Sequence, residues 1–203
     1  MKKKLGLALT LPWFGIAGYY YFARPDVRAP FSPALLGKTG SAHACPVAGI
    51  VVTAAHVVSN EDETGFEHYI IEANGFTGPA SGIAMDQRVD IGVLAVGVPV
   101  ESFQIATELK VGEHVYWTEF NFEDVDRAWQ PVMRDAEVVT LVGGHIFFAG
   151  EVHLGASGGC LFNSRSQVVG VVIAGDELAN GHIGVAVNVV GFWVTHEPEV
   201  SLP

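Results

Sequence analysis

Gly155-Ala156-Ser157-Gly158-Gly159-Cys160-Leu161 is the stretch on which the reading of this 203-residue chain turns. A serine set between glycines lies in backbone free to take unusual φ/ψ, with no bulky side chain to hold a substrate carbonyl away. In such a loop the N–H groups of Gly155 and Ser157 can converge on one point. A tetrahedral oxyanion would form there, and donors of this kind each contribute about 3–4 kcal/mol to the transition state. A serine hydroxyl is a poor nucleophile until a positioned base removes its proton. The stretch therefore asks for a histidine and a carboxylate elsewhere in the chain.

Both are found upstream. Thr53-Ala54-Ala55-His56-Val57-Val58 follows the apolar run Gly49-Ile50-Val51-Val52, and Asp90-Ile91-Gly92-Val93-Leu94 opens a second apolar run. Histidine titrates near working pH and suits the base; a carboxylate holds its tautomer and stabilises the imidazolium. Asp86 competes for the acid role, but the apolar run after Asp90 places Asp90 at a strand start, and the role is assigned to it. Taken singly, His56 would pass for a structural histidine and Ser157 for a turn serine. Together the three supply base, acid and nucleophile.

The rest of the chain reads as β. Short Val- and Ile-rich segments are separated by turn-prone clusters such as Asn60-Glu61-Asp62-Glu63 and Gly143-Gly144. About a dozen such segments follow residue 39, which suits an all-β domain of two six-stranded antiparallel β-barrels packed together. Residues 24–38 contain three prolines and no clean period, and read as a linker.

Charge and composition narrow the function. Lys2, Lys3, Lys4, Arg24 and Arg28 stand against Asp26 alone, leaving six basic and twenty-one acidic side chains in residues 29–203, a net of −15. Such a surface repels nucleic acid, so nucleic-acid binding drops out. The histidines other than His56 (His43, His68, His114, His145, His153, His182 and His196) are scattered and show no metal spacing. They read as surface or cleft residues; neither a metal nor another cofactor is implied. The two cysteines, Cys45 and Cys160, allow one bridge without demanding it.

These strings resemble the trypsin/chymotrypsin superfamily, in its compact bacterial branch related to Deg-type proteases. Thr53-Ala54-Ala55-His56 is similar to its histidine box, residues 84–96 (AMDQRVDIGVLAV) to the Deg-type aspartate strand, and GASGGCLFN to its Gly-x-Ser-Gly-Gly loop. The order His, Asp, Ser is that of the chymotrypsin-like fold, and the likeness runs from residue 39 to about residue 190. By resemblance, Ile173, Ala174, Gly175 and Gly184 wall the primary specificity pocket, and the segment from Glu151 to His153 forms its base. The two glycines would leave it open, partly lined by Ile173 and Val185, which suggests apolar P1 side chains. If Glu151 pointed inward, Lys or Arg would gain a partner. Two features depart from the pattern. Ala156 stands where relatives carry Asp or Asn, which argues against zymogen activation by salt-bridge formation, and only 67 positions separate Asp90 from Ser157.

The amino terminus completes the picture. Three lysines precede an uncharged run over residues 5–23 that would span about 28 Å as a helix, enough to cross a bilayer. The basic cluster should stay cytoplasmic, placing the remainder outside. Tyr21 spoils the obvious cleavage site after Ala23, so a single-pass signal anchor is preferred to a signal peptide and secretion. The expected organisation is thus an anchor or signal helix at 1–23, a linker at 24–38 and a peptidase domain at 39–203. The expected function is a serine endopeptidase acting on polypeptides outside the cytoplasm, held to the membrane by its amino-terminal helix. The alternative is a peptidase fold that binds polypeptides without cutting them. The resemblance leaves homo-oligomerisation open.

Overall fold

The computed structural model describes residues 32–36, 41–59, 68–73, 76–120, 131–178 and 181–190. Its first sheet contains β1 (Ala34–Leu36), β2 (Ser41–His43), β3 (Cys45–Val47), β4 (Ile50–Ala54), β5 (His68–Ala73), β6 (Phe76–Asp86) and β7 (Ile91–Val96). The strand order is β2-β1-β5-β6-β7-β4-β3. A single helical turn, α1 (Ala55–Val58), follows β4 directly. All pairings in this sheet are antiparallel, as expected, but it has seven strands rather than six. The two edge strands are successive halves of residues 41–47, interrupted at Ala44. β2 pairs with β1 and β3 with β4, so the chain itself nearly closes the barrel.

The second sheet is a closed six-stranded antiparallel barrel. It is built from β8 (His114–Phe120), β9 (Pro131–Val142), β10 (His145–Phe148), β11 (Cys160–Asn163), β12 (Val168–Leu178) and β13 (Gly181–Asn188). Residues 103–107, which have strand-like composition, form only isolated bridges. Phe103 meets Val47 of the first barrel and Ile105 meets Val168 of the second. That connector laces the barrels together and contributes a strand to neither.

Residues 32–36 correct the expected linker. Leu35 is fully buried among Ile71, Val51 and Leu94 in the first barrel's core. Ser32 reaches the second barrel, where its N–H donates to Thr118 Oγ1 (3.2 Å) and its Oγ accepts from Cys160 N–H (2.9 Å). Apolar burial outweighs the local proline content here, because Leu35 gains the transfer energy of a full side chain, about 1.5–3 kcal/mol.

Alternation along the strands fills each barrel. On β8, Val115 and Trp117 point into the second barrel's core with Ile146, Phe148 and Leu161. Its opposite face is also buried at Thr118 and Phe120. A third apolar cluster, including Val47, Val52, Phe162 and Val171, joins the barrels. Within it Cys45 of β3 is bridged to Cys160 of β11. The bridge that the sequence left open therefore staples one barrel to the other, three residues beyond Ser157.

Among the described residues no helix is long and apolar enough to cross a membrane. Residues 1–23, where the anchor is expected, lie outside them.

Candidate active site

His56 leaves the first barrel on α1. Gly92 lets this turn lie close on β7, since a Cβ there would stand 2.7 Å from Val58 Cγ2. Val58 is buried and anchors the turn, while the His56 side chain is half exposed. Asp90, in the left-handed region at φ 55°, ends the turn between β6 and β7. Aspartate tolerates this conformation better than most residues. Three hydrogen bonds follow: Ala55 N–H to Asp90 O (3.1 Å), His56 N–H to Asp90 Oδ1 (2.9 Å), and His56 Nδ1 to Asp90 Oδ2 (2.7 Å). Because a carboxylate only accepts, Nδ1 carries the proton and Nε2 keeps its lone pair. Asp86 is occupied otherwise. It takes Arg88 Nε at 3.1 Å and Nη2 at 2.9 Å, and the side-chain hydrogen bonds from Arg88 lower its pKa.

The loop at residues 153–159 carries Ser157, half-buried. Gly155 and Gly158 have φ of 90° and 82°, the left-handed region that glycine alone occupies without strain. Gly158 is also a contact. A Cβ there would collide with Thr53 Oγ1 and the His43 carbonyl, so the missing side chain brings the serine loop against the strand leading to His56. The amide pattern is alternate. Ala156 N–H donates to His153 O (3.2 Å), Gly158 N–H to Val172 O (2.7 Å) and Gly159 N–H to Ala156 O (3.1 Å). Among the described residues, the N–H groups of Gly155 and Ser157 donate to no protein acceptor. The Ser157 hydroxyl has no hydrogen bond to the His56 ring among those residues either. Such bonds are often long in substrate-free sites.

His43 fastens the loop from the first barrel. Its N–H donates to Ser157 O (2.9 Å) and its Nδ1 to Gly155 O (2.7 Å). It also stacks on Phe120 at 4.5 Å. It is fully buried, which corrects the expectation of a surface or cleft residue. Burial lowers its pKa to about 4, against the raising effects of the Gly155 hydrogen bond and of Glu119. The ring is therefore neutral at pH 7, and its buried Nε2 has no hydrogen-bond partner among the described residues.

The expected pocket residues come together on two neighbouring strands. On β12 and β13, Ala174 pairs with Val185 and Gly175 with Gly184, and a bulge sets Ile173 out of register. Val152 occupies the room that the glycines leave. A Cβ on Gly175 would lie 2.7 Å from Val152 Cβ, and one on Gly184 would lie 2.7 Å from Val152 Cγ2 and would collide with the Phe148 ring. Glu151 is exposed, with Oε1 3.4 Å from His153 Nε2. His43 was missed as a site residue because nothing local distinguishes it; it acts through contacts distant in sequence.

The comparisons agree with this architecture. Residues 37–171 match the trypsin-like peptidase domain family. Among solved structures, the chain is similar to the Rv3671c protease in its inactive form, at 20% identity and TM-score 0.64, covering 84% of this chain and 90% of that one. The active form of that protease, from M. tuberculosis, matches at 20% identity and TM-score 0.63, covering 79% and 77%. A serine endoprotease from Yersinia pestis matches at 16% identity and TM-score 0.64, covering 79% of this chain and 59% of that one. At these identities the likeness speaks for the fold. No curated protein matches the chain significantly. With the family match spanning about two-thirds of its length, the chain belongs to the trypsin-like peptidase domain family.

Proposed function

We propose that this protein is a serine endopeptidase in which Ser157 is the nucleophile, His56 the general base and Asp90 the residue that orients it. The observation that carries the reading is the alternate amide pattern of the serine loop. Ala156 and Gly159 bond within the loop and Gly158 to Val172 of β12, while among the described residues the N–H groups of Gly155 and Ser157 donate to no protein acceptor. Two free donors flanking one hydroxyl suit an oxyanion, whose charge they would stabilise without reorganisation.

The chemistry follows from these positions. Ser157 Oγ attacks the scissile carbonyl carbon as its proton passes to His56 Nε2. The carbonyl oxygen becomes an oxyanion held by the N–H groups of Gly155 and Ser157. The intermediate collapses, the C–N bond breaks, and His56 returns the proton to the departing amine. Water, deprotonated by His56, then hydrolyses the Ser157 ester. Asp90 keeps the proton on Nδ1 throughout, by the 2.7 Å bond.

Val152, packed over the paired Gly175 and Gly184, sharpens the expected apolar preference toward small P1 side chains such as Ala or Val. The exposed Glu151 does not support a basic P1. For location, the Cys45–Cys160 bridge is consistent with an oxidising compartment outside the cytoplasm. Anchoring through residues 1–23, a linker shortened by β1, and a peptidase domain beyond it complete the proposal.

A fluorophosphonate probe tests the chemistry. The full-length chain should be labelled at Ser157, with labelling abolished in Ser157→Ala. A folded chain that resists the probe and turns over no polypeptide would support the non-cleaving binding module instead.

A further inference from the structure

Beneath the serine loop lies a carboxylate that the proposed chemistry does not use. Glu119 stands two residues after Trp117 on β8, on the face that fills the second barrel, and its side chain is completely enclosed. Burying an ion costs several kcal/mol unless its partners are good, and an apolar residue would fill an inward strand position without that cost. Glu119 has four donors. Its Oε1 accepts from Arg134 Nε (2.6 Å) and from His153 Nδ1 (2.8 Å). Its Oε2 accepts from Trp117 Nε1 and from the His153 N–H, both at 3.3 Å.

Two of these donors belong to His153, one from its ring and one from its backbone. The His153 carbonyl in turn receives the Ala156 N–H, closing the turn that leaves the Gly155 N–H free. Glu119 thus holds the first residue of that turn, as His43 holds the Gly155 carbonyl. A turn with glycine at its third position can rotate its central peptide at little steric cost. An oxyanion donor has value only when such rotation is prevented. The loop supplies no anchoring charge of its own, because Ala156, before the nucleophile, is apolar and fully buried.

We propose that Glu119 is a positioning residue: through His153 it locks the 153–156 turn in the orientation that presents the Gly155 N–H to the developing oxyanion. The role rests on the peptidase reading above. Glu119 itself touches neither substrate nor the reacting atoms. The charge that fixes the loop comes from β8 and from outside the serine motif.

The test uses steady-state peptide cleavage and binding of a peptide aldehyde, a tetrahedral oxyanion mimic, by the full-length chain. Glu119→Gln should lower kcat about 10- to 100-fold, with KM within about threefold and aldehyde affinity falling in step with kcat. His153→Ala should behave alike. His153→Asn, which keeps a donor near the Nδ1 position, should recover most of the lost kcat. This pair at a half-exposed site keeps the test decisive if Glu119→Gln folds poorly. The proposal is overturned if kcat is unchanged, if only KM moves, if the loss merely tracks the unfolded fraction, or if His153→Asn is as impaired as His153→Ala. A wild-type chain unlabelled by fluorophosphonate removes the peptidase reading and this role with it. A labelled, active wild type with an unimpaired Glu119→Gln removes only the role.

Discussion

Val152 shows how one side chain can set a site's dimensions. Glycines at 175 and 184 suggest an open pocket when read along the sequence, and in the folded chain they are what allows Val152 to pack over the paired strands β12 and β13. On the proposed reading, a P1 residue entering there meets the Val152 methyl groups. Truncation should restore the space. Val152→Ala is expected to raise kcat/KM for Leu or Phe at P1 by on the order of 10-fold relative to Ala at P1. A peptide library varied at P1 measures this, and an unchanged preference would place the specificity determinant elsewhere. Asp90 is the opposite case, a residue legible at once. The apolar run after it marks a strand start, and its three bonds to Ala55 and His56 follow from that placement. Glu119 lies between the two. Period-two alternation puts it on the same face as Val115 and Trp117, but Tyr116 and Phe120 make the other face equally apolar, so which face turns inward was not legible. Nor were its partners Arg134 and His153.

At the scale of elements, the serine loop depends on a close approach rather than on its own bonds. Gly158 brings it against Thr53 on β4, and Thr53 Oγ1 donates to the His43 carbonyl at 2.8 Å. Gly158→Ala should be severe for two reasons. The left-handed φ costs about 1–2 kcal/mol for an alanine, and the new methyl collides with Thr53 and His43. We expect the labelling rate at Ser157 to fall at least about 100-fold while the melting transition stays cooperative, since the loop can shift without opening either barrel. Fluorophosphonate kinetics with circular dichroism would check both halves. Strand positions were largely legible because the Val/Ile segments alternate and turn residues bound them. The exceptions have physical causes. Residues 34–36 sit among prolines yet bury Leu35, and residues 103–107 have strand composition but run between the two barrels, making only single bridges to each.

For the whole molecule, the barrels are held by the disulfide, by the connector and by buried His43, which reaches from β2 to the loop of the second barrel. His43 ties stability to pH. Its folded pKa, about 4, lies below the unfolded value of 6.5 because burial disfavours the imidazolium. The unfolded chain therefore takes up the proton first. The contribution is fully present above about pH 6.5 and is lost as pH falls toward 4, amounting to about 3 kcal/mol across that window. Thermal melts from pH 7.5 to 4.5 should show a shallower loss in His43→Gln than in the wild type; equal slopes would refute the assignment. The sequence by itself determined the class of fold, the order of His56, Asp90 and Ser157, and Gly155 and Ser157 as the candidate oxyanion donors. These rest on local signals: strand alternation, a glycine-framed serine and an acid at a strand start. Only the tertiary structure decided that the first barrel nearly closes through residues 41–47, that Cys45 and Cys160 are joined, that Val152 packs against Gly175 and Gly184, and that Glu119 and His43 brace the serine loop. Each of those is a contact between segments far apart in the chain, where register and packing, rather than local propensity, choose the neighbours.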